Sequence, residues 1–309
     1  MLSKAETQDP GAYVRLLGAE RQMLVFIAAV GLLAVAFALA LGRQVNWPPF
    51  VGGYAATLGL AAIGSYIRQA KSAPRIALAL IGVAIFAGFT AVSSVFIFTL
   101  FPLANPLVDP ALMRVDQALG YSWPGLIAWL ADYPGPAQAL GYVYHSSLLQ
   151  ILLTIVLLAA LSREVALHRF LLVGMVTLII AVAIWWVIPS IGPSAFHDIP
   201  EAHRVATGLY YNSAYGDFLR LLAEVGPPVI SPEVITGVVA FPSYHMVMAL
   251  LVVWFTRGTL AFLPAVLVNT AMVPATLSHG GHHLIDLIGG LAVFAAGVWI
   301  GNRLIPSRD

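Results

Sequence analysis

The sequence predicts an all-α protein, a polytopic bundle of about eight transmembrane helices with interfacial helices in its external loops. Of the 309 residues, 60% are hydrophobic and only 9% are charged, whereas a soluble domain carries about 25% charged residues. The apolar residues also gather in runs of roughly the 20 residues that a membrane-spanning helix needs. No basic cluster exists, which argues against nucleic acid as a partner. The absence of cysteine excludes disulfides and thiol catalysis.

Eight apolar runs account for the predicted spans. They lie near residues 23–42, 50–69, 76–102, 138–161, 168–189, 243–256, 259–277 and 283–301. The sixth run is short, so we expect its helix to begin before Ser243. Two mixed segments, LMRVDQALGYSWPGLIAWLADYPGP after the third run and YGDFLRLLAEVG after the fifth, are typical of helices on a membrane surface.

The positive charges predict the orientation of this integral membrane protein. Lys and Arg concentrate on the cytoplasmic side of membrane proteins. With a cytoplasmic N-terminus, all but four of the 15 Lys and Arg residues fall inside. The exceptions are Arg43, Arg114, Arg204 and Arg220. We therefore expect both termini to be cytoplasmic and the starts of the sixth and eighth spans to face the external, periplasmic or lumenal side.

The first of two polar stretches at that face is FPSYH, residues 241–245. Pro242 suits the first positions of a helix and Ser243 suits its cap. Free N–H groups at a helix start attract phosphate, and His245 in the first turn could move a proton to or from a bound oxygen. Taken alone, the stretch favours a simple cap with an interfacial histidine.

The second stretch, GGHHLIDLIGG at 280–290, contains a histidine and an aspartate four residues apart. On a helix His282 and Asp286 share a face. An aspartate that accepts a proton from one imidazole nitrogen leaves the other nitrogen free as a nucleophile or base. Acids also favour helix starts for purely structural reasons. Ionisable groups at membrane depth are usually functional, however, and His245 on the same face favours one shared site.

The two stretches together resemble the phosphatidic acid phosphatase type 2 superfamily, whose members are phosphatases and phosphotransferases that work through a phosphohistidine. The string HHLIDLIGG is similar to the inositol phosphorylceramide synthase branch, as are WVIPSIGPSAF at 186–196 and VDQALGYSWP at 115–124. The resemblance covers roughly residues 110–300. It divides the chain into residues 1–75, an N-terminal tail with two accessory transmembrane helices, and residues 76–309, a phosphatase- or phosphotransferase-type membrane core.

The resemblance implies a role for each residue of the predicted site. His282 would be the nucleophile and Asp286 would orient it, while His245 would protonate the leaving oxygen and then activate the acceptor. Ser243 and the backbone around Tyr244 would hold phosphate oxygens. No metal and no cofactor is required by this mechanism.

The sequence departs from the family where its usual cations stand. The usual paired lysine and arginine are missing, and Ala275 and Thr276 replace the usual serine and arginine before the histidine of the third motif. A cation should still meet the phosphate. Arg204 is the first choice for that cation, and His279 could add a hydrogen-bond donor.

The predicted function is therefore transfer of a phosphoryl-containing group from a lipid phosphate or phosphodiester in the membrane. The favoured acceptor is a polyol such as inositol, and the alternative is water, which would make the protein a lipid phosphate phosphatase. A transporter is a further alternative, disfavoured because no inverted repeat is visible and the ionisable residues gather at one face. A metal site built from HGGHH, Asp286 and His245 is disfavoured because His282 and His283 are adjacent and point to different sides of a helix.

Overall fold

The computed structural model describes residues 16–305, and these residues form thirteen α-helices and no β-strand. The helices are α1 Gly18–Ala40, α2 Trp47–Gln69, α3 Pro74–Thr99, α4 Asp109–Ala118, α5 Trp123–Ala131, α6 Pro134–His145, α7 Ser147–Ala160, α8 Glu164–Val187, α9 Glu201–Thr207, α10 Ser213–Glu224, α11 Tyr244–Phe255, α12 Phe262–His279 and α13 Leu284–Leu304. The predicted all-helical class is confirmed.

Among the described residues, six helices are long and apolar enough to cross a membrane by themselves, namely α1, α2, α3, α8, α12 and α13. The fourth predicted span is a pair of helices, α6 and α7, bent by 52° around Ser146. The remaining apolar helix, α11, has 12 residues. At 1.5 Å per residue it is about 18 Å long, shorter than the roughly 30 Å of a bilayer core.

The expectation that the sixth span begins before Ser243 is wrong. Helix α11 begins at Tyr244, and the Ser243 hydroxyl caps it by accepting the N–H of Met246 at 3.4 Å. Pro242 disfavours helical conformation in the residue before it. The N–H of Ser243 donates instead to the backbone carbonyl of Asp286 at 2.9 Å, which joins the start of α11 to the first turn of α13.

The two mixed loop segments form helices, as predicted. The first becomes α4 and α5, and the second becomes α10. Helix α5 packs on α9, α9 packs on α6, and α10 packs on a short 3₁₀ turn at Pro193–Ala195. These elements lie around the end of the bundle at which α11 and α13 begin, and we call it the site end.

Glycines on α13 allow it to lie close to its neighbours. A Cβ at Gly290 would lie 2.5 Å from the Ser243 carbonyl oxygen, and one at Gly289 would lie 2.8 Å from the Phe241 ring. A Cβ at Gly297 would collide with Thr177 of α8. Larger residues at these positions would push α13 away from α11 and α8.

Candidate active site

His282 and Asp286 form a buried pair at the start of α13. The Nδ1 of His282 lies 2.9 Å from Oδ2 of Asp286, and the two residues are 3% and 0% exposed. The same carboxylate oxygen accepts the N–H of His283 at 2.9 Å. A carboxylate held this way fixes the imidazole with its proton on Nδ1 and the lone pair on Nε2.

The start of α11 lies against the open side of this pair. The Ser243 hydroxyl is 3.5 Å from Nε2 of His282. The ring centroids of His245 and His282 are 6.4 Å apart, and the His245 ring stacks on Tyr144 at a centroid distance of 4.1 Å. The structure therefore brings together four side chains that the sequence places in two stretches almost forty residues apart.

The two imidazoles are neighbours in the site. Their ring centroids are 6.4 Å apart, which places both rings within reach of one bound group. A nucleophile on one side and an acid–base group on the other form the arrangement that covalent catalysis uses. Within residues 16–305, no three or more His, Asp or Glu side chains are grouped so that they could hold a metal ion.

The predicted phosphate contacts at Ser243 and Tyr244 have different geometries. Ser243 is fully buried, and its hydroxyl lies between the α11 backbone and His282. The Tyr244 phenol donates to the Gly174 carbonyl of α8 at 2.8 Å. The Tyr244 side chain therefore takes part in helix packing. A phosphate contact at this residue would have to come from its peptide N–H, which is one of the first-turn donors that lack an intrahelical acceptor.

His279, predicted to donate a hydrogen bond to the phosphate, links α12 to α9. Its Nδ1 lies 3.0 Å from the Ser278 hydroxyl and its Nε2 lies 3.1 Å from the Thr207 carbonyl oxygen. The residue is 4% exposed. Because both ring nitrogens have protein partners, a phosphate contact would require His279 to leave at least one of them.

Arg204, the predicted phosphate cation, is engaged by a neighbour on α9. Its Nε and Nη2 donate to the two carboxylate oxygens of Glu201 at 2.7 and 2.5 Å. This hydrogen bonding lowers the pKa of the Glu201 carboxyl, which keeps the pair charged. Across residues 16–305, no hydrogen bond joins Arg204 to Ser243, His245 or His282. The charge of Arg204 is therefore already balanced by Glu201 in this arrangement.

A second buried cluster behind the His282–Asp286 pair was missed by sequence reasoning. The Nδ1 of His283 lies 2.6 Å from Oδ2 of Asp116, and its Nε2 lies 3.4 Å from Oδ1 of Asp109. A histidine that donates from both nitrogens is an imidazolium. We call Asp109, Asp116 and His283 the acid–histidine brace.

The acid–histidine brace joins three segments at the site end. Asp109 accepts the N–H of Gly192 at 2.8 Å and the hydroxyl of Ser190 at 2.8 Å. Asp116 accepts the N–H of Leu284 at 3.1 Å, which fixes the first residue of α13. Helix α4, the loop after α8 and the start of α13 are thereby held in one arrangement around His282.

One signal in the sequence could have indicated the brace. Asp109 and Asp116 are seven residues apart, or two helical turns, so they share a face of α4. Their partner His283 lies 167 residues beyond Asp116, a separation that no local pattern reveals.

Aromatic donors hold the turn that carries His282. The Tyr121 hydroxyl donates to the His282 carbonyl at 3.2 Å, the Trp123 indole to Ser278 at 3.1 Å, and the Tyr211 hydroxyl to Gly280 at 3.2 Å. Burial, helped by two nearby carboxylates, raises the pKa of Tyr121 well above its ordinary value. The phenol therefore remains a protonated donor across the physiological range.

The loop after α8 packs directly on the same turn. Gly192 has a φ of +88° and Gly281 a φ of +57°. A Cβ on Gly192 would collide with the Gly281 carbonyl, and a Cβ on Gly281 would lie 2.5 Å from the Ser194 hydroxyl. Both glycines are needed for their backbone conformation and for this close approach. The stretches around 115–124 and 186–196 thus surround the His282 turn.

An apolar cavity of about 320 Å³ reaches the site from within the bundle. Its walls come from α3, α7, α8, α11 and residues 235–237, and it reaches Tyr244 and His245. The hydroxyls of Thr90, Ser93 and Ser94 lie in its wall but donate to carbonyls of their own helix. The cavity therefore offers an apolar surface of the size typical of small-ligand pockets, about 300–1,000 Å³.

The segment that contains the predicted site matches a known protein family. The family model described as the PAP2 superfamily matches residues 110–300. No curated protein and no solved structure matches the chain. The matched segment runs from α4 into α13 and contains every residue of the predicted site.

Proposed function

The chain belongs to the PAP2 superfamily of phosphatases and phosphotransferases, and from this premise we propose that it transfers a phosphoryl-containing group of a lipid through a His282 phosphohistidine. The observation that carries the proposal is the His282–Asp286 pair, 2.9 Å apart, with Nε2 of His282 directed toward the start of α11. The family supports phosphatase or phosphotransferase chemistry on a phosphorylated lipid in a membrane.

The proposed reaction has two steps. In the first, Nε2 of His282 attacks phosphorus, the bond from phosphorus to the leaving oxygen breaks, and His245 gives that oxygen a proton. In the second, His245 takes a proton from the acceptor hydroxyl, whose oxygen attacks phosphorus and breaks the phosphorus–nitrogen bond. Asp286 stabilises the imidazolium character that His282 gains in the first step.

In this proposal, oriented hydrogen-bond donors supply most of the stabilisation of the negative charge on the transferred group. The free N–H groups of the first turn of α11 form an anion site of the kind found at helix starts. The Ser243 hydroxyl adds a side-chain donor next to Nε2 of His282. Donors oriented before the reaction supply a large part of transition-state stabilisation. Arg204 is the first-choice candidate for an added cation in this proposal.

The apolar cavity supports a lipid as the group donor. It begins at His245 and continues between α3, α7 and α8, so an acyl chain placed there would bring its headgroup phosphate to the two histidines. Sidedness is proposed from the positive charges, which place the site end at the external face.

The buried site supports transfer to a hydroxyl in preference to hydrolysis. His282 and Ser243 are 3% and 0% exposed, and exclusion of bulk water protects a reactive intermediate from hydrolysis. The similarity of HHLIDLIGG to the inositol phosphorylceramide synthase branch favours a polyol such as inositol as the acceptor. Hydrolysis by a lipid phosphate phosphatase is the second candidate.

Reconstitution of the full chain in lipid nanodiscs tests the proposal. Lipid phosphates and phosphodiesters would be supplied with and without inositol, and free phosphate and new lipids would be followed by mass spectrometry. A new headgroup lipid that disappears in His282→Ala supports transfer, and free phosphate that disappears in the same variant supports hydrolysis. Turnover that persists in His282→Ala would overturn the assigned mechanism.

A further inference from the structure

A basic pocket of about 530 Å³ lies at the end of the bundle opposite the candidate active site. It is built where α8 begins and α11 ends, whereas the active site is built where α11 begins. Arg163, Arg169 and Arg257 line it. We propose that this pocket binds the headgroup phosphate of an anionic phospholipid, independently of the catalytic site.

Two of the three guanidinium groups donate hydrogen bonds to backbone carbonyls, which are neutral partners. Arg163 donates to the backbone carbonyls of Arg257 and Gly258 at 2.9 and 2.6 Å. Arg169 donates from Nε to the Ile305 carbonyl at 2.5 Å. Each guanidinium has five N–H donors, so several donors per arginine remain for a ligand.

The described lining of the pocket has an excess of positive charge. It contains three arginines and one glutamate, Glu164, a net charge of +2. Elsewhere in the described chain, Arg68, Arg204 and Arg220 are paired with carboxylates. No salt bridge within residues 16–305 joins a carboxylate to the three pocket arginines. A phosphate anion would supply the missing partner.

The apolar part of the wall favours a lipid headgroup over free phosphate. Trp254 lies in the wall, is 38% exposed, and its ring is 3.9 Å from the guanidinium carbon of Arg257. Tryptophan at the ends of spans sits at the headgroup level of a bilayer. Basic pockets between transmembrane helices bind anionic headgroups, and the aromatic ring gives the glycerol and upper acyl region a surface to contact.

Native mass spectrometry of the purified full chain tests the site. The protein would be equilibrated with an equimolar mixture of phosphatidylglycerol and phosphatidylcholine, and the ratio of bound lipids measured. At about 1 kcal/mol for each basic residue near a membrane surface, Arg169→Gln and Arg257→Gln should each lower the preference for phosphatidylglycerol by roughly 5-fold. Glu164→Gln should raise it.

Arg303→Gln is the matched control. Arg303 also stacks on a tryptophan, 4.1 Å from the Trp299 ring, yet it does not line the pocket. Its replacement should leave the preference unchanged, and melting curves would confirm that all variants are folded. An equal loss in Arg303→Gln, or no loss in the pocket variants, would overturn the proposal. Binding of inorganic phosphate without a preference for phosphatidylglycerol would assign the site to free phosphate and overturn the lipid assignment.

Discussion

Buried histidine–carboxylate clusters lie at both ends of this protein, and the carboxylates at the two ends have different partners. At the end away from the site, the Glu20 carboxylate of α1 accepts hydrogen bonds from Nη1 and Nη2 of Arg68 at 2.6 and 2.8 Å. His168 of α8 lies 3.3 Å from the same carboxylate. Glu20, Arg68 and His168 together form the helix-anchoring cluster.

The partners of each carboxylate distinguish the two clusters. Both oxygens of Glu20 are occupied, because a guanidinium binds them in a bidentate manner. Among the described residues, Oδ1 of Asp286 has no hydrogen-bond partner, and the Nε2 of His282 has only the Ser243 hydroxyl at 3.5 Å. The Glu20 carboxylate is thus bound by a guanidinium, whereas the described partners of the Asp286 carboxylate are a histidine ring and a backbone N–H.

The largest expected effect is the difference in turnover between a variant of His282 and a variant of His168. His282→Ala should lower turnover by at least about 10⁴-fold, since loss of a nucleophile leaves only binding effects. His168→Ala should change turnover per folded molecule by less than about 2-fold. Both rates would be measured in nanodiscs on equal amounts of folded protein. Comparable losses in the two variants would contradict the functional distinction between the clusters.

Asp286→Asn should have the next largest effect, a fall in kcat of about 10³-fold with little change in KM. An asparagine can present its NH₂ group to Nδ1 of His282, which selects the tautomer with the proton on Nε2 and removes the nucleophilic lone pair. Steady-state kinetics would measure the two constants separately. A rise in KM alone would indicate that Asp286 holds substrate and does not orient the histidine.

Replacement of His283 should affect both activity and stability. His283→Asn leaves Asp109 and Asp116 as buried carboxylates without their shared partner, a change that costs about 3–5 kcal/mol when one member of a buried pair is removed. We expect a lower melting temperature and a kcat reduced about 10-fold through misplacement of His282. Adding Asp116→Asn to the same chain should recover part of the stability, because it removes one uncompensated charge. No recovery in the double variant would argue against the charge explanation.

Glu20→Gln should have the smallest effect on turnover and a clear effect on stability. The substitution removes the carboxylate that Arg68 and His168 share, and loss of one partner from a buried ion pair costs about 3–5 kcal/mol. Thermal unfolding should shift downward while turnover per folded molecule stays within about 2-fold. A large fall in turnover would instead mean that helices α1 and α2 form part of the active unit.

The local part of the candidate site could be predicted from the sequence. His282 and Asp286 are one helical turn apart, so their contact follows from helix geometry alone. Ser243 follows a proline at a helix start, which made its capping role predictable. The contact between Arg204 and Glu201 is also local, three residues apart on α9, and this spacing was a readable sign that the arginine is already paired.

The sequence by itself determined the membrane class, the helical fold and the residues of the two stretches. Those features depend on composition, on the length of the apolar runs and on spacings of a few residues, all of which can be read from the sequence. Only the tertiary structure decided the acid–histidine brace, the start of α11 at Tyr244, and the engagement of both His279 nitrogens. Each of these includes a contact between residues far apart in the chain, such as Asp116 with His283 across 167 residues. Helix packing brings such partners together, and no local periodicity encodes it.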